Sequence, residues 1–170
     1  MVSRLAVRYI KIMTKKRSSI GDDSQHWVGL EQRLPECGVA SIFPTDAECR
    51  DRLATVRWPA GVTCLKCASK DIGFLEARKT YHCRNCRYQF TVLTGTALHA
   101  SKLSPQLWFD AAQEYVRWRA KVPGRDFGLQ ALEEYLGVAY TTARKVRGIL
   151  REDLSPEGAG LLASCICMEA

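Results

Sequence analysis

Four thiols, Cys64, Cys67, Cys83 and Cys86, fall in two Cys-x2-Cys pairs with 15 residues between them. That spacing is the one expected of a four-cysteine zinc site. Each two-residue loop turns back so that its sulfurs point at a common centre. A hairpin between the pairs then closes a tetrahedron with Zn–S near ~2.3 Å. We expect one structural zinc, held by these four residues. A ribbon of about thirty residues buries too little apolar area to offset its chain entropy, so metal binding becomes folding free energy. A catalytic zinc keeps a position open for water, whereas four thiolates close the shell, so the ion is expected as a clasp. The competing reading, two disulfides or a redox pair, fits poorly with the absence of an apolar signal-peptide core near Met1. Ala68 and Arg87 follow the pairs where glycine commonly supplies a left-handed backbone, at a cost of about 1 kcal/mol each. His82 is read as a strand side chain pointing away from Cys83, and His26 and His99 receive no role.

The chain has 170 residues, 46% of them hydrophobic, enough for a core, and no apolar run approaches the ~18 residues that span a bilayer. No membrane association is expected. Residues 1–20 carry six basic and no acidic side chains, and 1–42 read as a basic, loosely ordered leader. Residues 43–100 read as a capping helix plus the ribbon. Thr45 and Glu48 form a capping box, and Cys49, Leu53 and Val56 recur at helical spacing until Trp58-Pro59 stops the helix, which makes Cys49 a core residue. "IGFLEA", "KTYHC" and "YQFTVLTGT" then read as three short strands. Residues 101–151 are expected to be helical. Ser104 caps a helix with Pro105 at its first position, and Leu107, Ala111, Tyr115 and Trp118 line one face beside Trp108 and Ala112. Residues 152–170, with four acids and no basic residue, read as an irregular tail in which Cys165 and Cys167 lie at a frayed terminus. The closing "CMEA" lacks the aliphatic residue of a prenylation signal at Glu169.

The expected fold class is a small α+β chain: a three-stranded antiparallel zinc ribbon flanked by helices, with a C-terminal helix-turn-helix. In the last pair, Leu129, Leu132 and Leu136 make one apolar face, Gly137 permits a sharp turn, and Val138, Ala143 and Val146 resume on a second helix. That second helix offers Tyr140, Thr141, Thr142, Arg144, Lys145, Arg147 and Arg151 to base edges or phosphates. Glu133 stands where a small residue would ease the contact between the two helices. On the ribbon, Lys66, Arg84 and Arg87 are candidate phosphate contacts, and the net charge of +7 suits a polyanionic partner. Double-stranded DNA is the expected partner.

The stretch "FPTDAECRDRLATVRWPAGVTCLKC", followed by "YHCRNCRYQFTVLTGTALHASKLSPQLWF", resembles the N-terminal region of zinc-ribbon insertion-sequence transposases. The marks are Phe43-Pro44, "RWP-G" before the first pair, the four cysteines, "TGT" and the Leu/Trp helix start; the resemblance spans about 43–151. It implies a ribbon and helix-turn-helix that recognise transposon ends, in a bacterial cytoplasm and associated with DNA. It also implies a downstream RNase H-like domain with clustered acidic metal ligands. After Asp153 this chain reads "LSPEGAGLLASCICMEA" and stops, so that domain is expected to be absent and the chain to bind DNA without cutting it. Intact transposase or a second copy of the chain would be further partners. A stand-alone transcriptional regulator and a zinc-ribbon protein-interaction module remain open alternatives.

Overall fold

A capping box starts the first helix that the sequence predicts: Thr45 accepts from the Glu48 backbone N–H, while the Glu48 carboxylate accepts from Thr45 N at 3.0 Å. The computed structural model describes residues 20–99 and 101–168. The basic residues of the first nineteen positions and the end of the "CMEA" motif lie outside them. Within the described residues, helices α1 (Ile20–Gln32), α2 (Val39–Ile42) and α3 (Asp46–Arg57) precede the sheet β1 (Ile72–Leu75), β2 (Thr80–Cys83), β3 (Gln89–Phe90). Helices α4 (Pro105–Lys121), α5 (Leu129–Leu136), α6 (Tyr140–Asp153) and α7 (Leu161–Ile166) follow. The fold is the small α+β class expected. No helix among the described residues is long and apolar enough to cross a membrane.

The sheet is antiparallel in the order β1-β2-β3, with Ile72 opposite Cys83 and Tyr81 opposite Phe90. Its third strand is shorter than the sequence suggests. Thr91 Oγ1 accepts from Leu93 N at 3.3 Å and Thr94 Oγ1 from Thr91 N at 2.9 Å, so hydroxyls take donors that a ladder would need and fold the chain into turns. Those turns meet α3. Arg57 donates to the carbonyls of Val92 and Thr94, the latter at 3.0 Å, and stacks over Trp58 at 4.5 Å. Trp58 in turn meets Tyr81 and Phe90 edge-on, at 5.7 and 6.0 Å between centroids. The "RWP" and "TGT" stretches are the two halves of this one joint.

Helix α4 is capped by Ser104, whose Oγ accepts from Leu107 N at 3.2 Å, and carries Pro105 at its start. It buries Trp108, Phe109, Ala111, Ala112, Tyr115 and Val116. Leu107 is only half-buried and Trp118 is 37% exposed, packed edge-on against Phe127. The expected single stripe is thus displaced, because α1, α2, α3 and α7 all pack on α4 and cover it from several sides.

Two segments read as irregular are ordered helices. Residues 20–42 contribute α1, whose Trp27 and Leu30 are each 2% exposed. Arg119 of α4 stacks over Trp27 at 4.8 Å and pairs with Asp23 at 2.6 Å. His26 Nε2 donates to Leu154 O at 2.8 Å, tying α1 to the end of α6. In place of an irregular tail, α7 buries Leu162, Cys165 and Ile166, with Cys167 just beyond it. This six-residue helix is held at both ends from outside. Buried Asp153 accepts from Leu161 N and Leu162 N at 3.2 and 2.8 Å, and Arg52 donates to Ser164 O and Cys165 O at 2.8 and 3.1 Å. Burial keeps the Asp153 carboxyl above its ordinary range despite those two donors.

If α7 is core, Ile166→Ala should cost about 2–5 kcal/mol of stability, as large-to-small changes at fully buried sites do. Exposed Glu157→Ala should stay within about 0.5 kcal/mol. Urea unfolding of the two variants checks the contrast, and equal small effects would return the segment to a tail.

Candidate functional site

Two backbone loops of the same design present the four cysteines. In the first, Cys64 N donates to Ser69 O at 2.9 Å and Ala68 N to Cys64 O at 3.0 Å; in the second, Cys83 N donates to Tyr88 O and Arg87 N to Cys83 O, both at 2.9 Å. Lys66 N and Cys86 N each point at the first sulfur of their loop, at 3.4 Å. Both loops turn through a left-handed residue that is not glycine: Ala68 at φ 56° and Arg87 at φ 61°. Each costs roughly 1–2 kcal/mol, and the sulfurs they converge lie around one point.

The four Sγ atoms lie within 4.8 Å of one another, with Cys64–Cys86 at 3.5 Å and Cys67–Cys83 at 3.6 Å. A disulfide needs about 2.05 Å. A tetrahedron with Zn–S near ~2.3 Å has edges of about 3.8 Å, so the separations fit four thiolates around one ion. Burial pushes the Cys64 thiol up, but the N–H groups of Cys67 and Lys66 and the neighbouring thiols bring it down to about 6. The N–H of Cys86 likewise holds the Cys83 thiol below its ordinary value against burial. These donors favour the thiolate, the form that binds metal. Cys64 and Cys83 are buried while Cys67 is exposed, so the centre sits at the ribbon's edge.

The other cysteines and histidines are elsewhere. Cys49 and Cys165 are fully buried, and burial pushes both thiols up to about 12, as expected of inert core residues. Cys165 and Cys167 are core packing and not a metal pair. His82 lies over Gly73, where a Cβ would fall 2.1 Å from His82 Cε1, facing away from the centre as strand alternation requires.

The basic candidates divide into free and engaged. On α6, Tyr140, Thr141, Arg144, Lys145 and Arg151 are exposed, while Thr142 and Arg147 are half-buried. Arg144 and Lys145 meet no carboxylate among the described residues and line a shallow cleft with Tyr140 and Thr141. Arg147 donates to Phe127 O at 3.1 Å, and Arg147 and Arg151 both reach Asp126, each at 3.6 Å. Asp126 also accepts from the Tyr115 hydroxyl and from Phe127 N at 3.1 Å. Sequence spacing gave no sign of this residue, whose partners lie 11, 21 and 25 positions away. Its carboxylate ties α6 to α4. On the ribbon, Arg84 pairs with Asp71 at 3.0 Å, whereas Lys66 and Arg87 are exposed on the two loops that hold the cysteines.

Helix α5 ends on Gly137 at φ 62°, with Val138 N donating to Glu133 O at 3.3 Å and Gly137 N to Glu134 O at 3.4 Å, a Schellman ending. Glu133 thus contributes its carbonyl to the turn. Two residues later Ala139 starts α6 without a side-chain cap; its carbonyl takes Thr142 N at 2.8 Å, which leaves the N–H groups before Thr142 to solvent or an anion.

The geometry predicts one bound metal ion per chain. Chelation should dissolve the ribbon, seen as loss of dispersion in its amide resonances, and Cys83→Ser with Cys86→Ser should abolish binding in metal analysis. Two ions per chain, or one ion retained by the double variant, would overturn the assignment.

Residues 44–89 match a family model described as a transposase zinc-ribbon domain. Over 113 residues the chain is 27% identical to an uncharacterized protein in transposable element ISH50 of Halobacterium salinarum. That similarity takes in 64% of this chain and 36% of the relative, so the chain spans well under two thirds of the relative's length. No solved structure matches the chain. The four-cysteine ribbon between Pro44 and Gln89 is thus similar to transposase zinc-ribbon domains, in a chain similar to a protein of a transposable element.

Proposed function

We propose that this chain binds duplex DNA at the ends of a transposable element, as the recognition part of a transposase-related protein. The single observation that carries this is the outer face of α6. There Arg144 and Lys145 stand without a carboxylate partner among the described residues, beside Tyr140 and Thr141, at the start of the second helix of a pair joined by a three-residue turn. In a helix-turn-helix the beginning of the second helix approaches the major groove, where arginine and lysine donate to guanine and the uncapped N–H groups favour phosphate. The transposase-type ribbon earlier in the chain supports a transposon end as the target.

The ion in this reading is zinc, which suits four thiolates and supplies folding free energy to the ribbon. Lys66 and Arg87 are supporting phosphate contacts. Arg84, Arg147 and Arg151 contribute less, since each already meets a carboxylate. The role is binding, not strand cleavage. Asp153 caps α7, Glu114 pairs with Arg117 at 2.9 Å, and Asp126 braces α6, so these carboxylates are committed to the fold.

The test is a salt titration of zinc-loaded protein on a transposon-end duplex and on a scrambled duplex. Arg144→Ala with Lys145→Ala should weaken binding at least tenfold and reduce the log–log salt slope by about two. Arg147→Ala should change the slope by less than one. A double variant with unaltered affinity and slope would show that α6 does not face DNA. Mg²⁺ or Mn²⁺ added to the same mixture should produce no nicks, and nicking lost on mutating Asp110, Glu114 or Glu152 would reveal a nuclease centre.

A further inference from the structure

Thr141, Arg144, Lys145 and Gly148 follow one another at helical spacing and form one stripe on α6, opposite buried Ala143, Val146 and Leu150. The stripe runs about 10 Å along the helix axis. Gly148 closes it, with exposed Arg144 and Lys145 four and three positions before it and exposed Arg151 and Glu152 three and four positions after it.

A glycine inside a helix is destabilising by about 1 kcal/mol relative to alanine, so its presence calls for a cause. At other glycines the fold itself supplies one. Gly137 has φ +62°, a Cβ on Gly73 would strike His82, and a Cβ on Gly158 would lie 2.1 Å from Glu152 O. At Gly148 the backbone has an ordinary helical φ, and nothing among the described residues lies within 4 Å of an added Cβ. Its small size serves no contact among the described residues. Gly29, in α1, has equally open surroundings but lies far in sequence from this cationic stripe.

We propose that Gly148 is a notch where a DNA strand rests directly on the backbone of α6, with Arg144 and Lys145 flanking it. This rests on the DNA-binding reading and adds the point of closest approach. A methyl group at its floor would hold the helix off and lose the close packing of the strand on the backbone, while the long arginine and lysine side chains still reach their phosphates. No cation is involved at the notch, so its loss should lower affinity without changing the number of phosphates neutralised.

Gly148→Ala separates this role from a structural one, because alanine favours the helix. The zinc-loaded variant should melt higher than the parent, bind the transposon-end duplex at least tenfold more weakly, and keep the parent salt slope. Gly29→Ala should also melt higher and bind as the parent does. A Gly148→Ala protein that binds as tightly as the parent, while Arg144→Ala/Lys145→Ala still weakens binding, overturns the notch and leaves the DNA-binding face in place. A Gly148→Ala protein that melts lower would show that the glycine serves the fold, which also overturns the notch. Unaltered binding by the Arg144/Lys145 variant removes the DNA-binding reading, and the notch with it.

Discussion

Strands of four, four and two residues cannot hold a sheet together by pairing alone, and the ribbon depends on four sulfurs converging where one metal ion would fit. Everything local in that region serves the convergence. Two loops of like design turn through left-handed Ala68 and Arg87, tolerating strain that a glycine would avoid. Backbone N–H groups face the Cys64 and Cys83 sulfurs and favour their thiolate forms. The aromatic row Phe74, Tyr81, Phe90 then crosses the three strands, with its inner end against Trp58. A metal held by the four cysteines would fix the ribbon's shape, and the joint of Arg57 with the carbonyls of Val92 and Thr94 fixes its place on α3.

The helical body follows a different logic. Helix α4 is wrapped by its neighbours, and the short helices around it are held by polar contacts from distant parts of the chain. His26 reaches Leu154, Arg52 reaches the end of α7, Asp153 starts α7, and Gln113 accepts from Val39 N at 2.7 Å to hold α2. Asp126 belongs to the same class of tie. By engaging Arg147 and Arg151 it anchors the far half of α6 and leaves the near half, from Tyr140 to Lys145, as the uncompensated cationic surface. The division between structural and available arginines on one helix is therefore set by a single carboxylate.

The cysteine pairs, the capping box at Thr45, the Ser104-Pro105 start and the turn at Gly137 were legible because each is a local pattern whose partners lie within a few residues. The centre was legible for the same reason, down to the left-handed residues after each pair. What escaped was non-local. Helix α1 shows little periodicity around "SSIGDDSQ", and it is ordered by Trp27 packing beneath Arg119, ninety-two positions on. Helix α7 is six residues long with no cap of its own, so nothing in "LLASCI" announces a helix until Asp153 and Arg52 are placed at its ends. The third strand was overcalled because threonines suit both strands and hydroxyl-bonded turns, and here the turns prevail. Spacing puts Trp118 on the same face as Tyr115, but spacing shows one helical face and not how many neighbours cover it.

The central claim is that the metal-bound ribbon is a clasp and that the near half of α6 is the surface that meets DNA. Amide chemical-shift mapping of the zinc-loaded protein, titrated with a transposon-end duplex, tests it most directly. The account predicts perturbations concentrated from Tyr140 to Gly148, smaller ones at Lys66 and Arg87, and none in α1 or α7. Perturbations confined to the ribbon, with α6 unmoved, would contradict it.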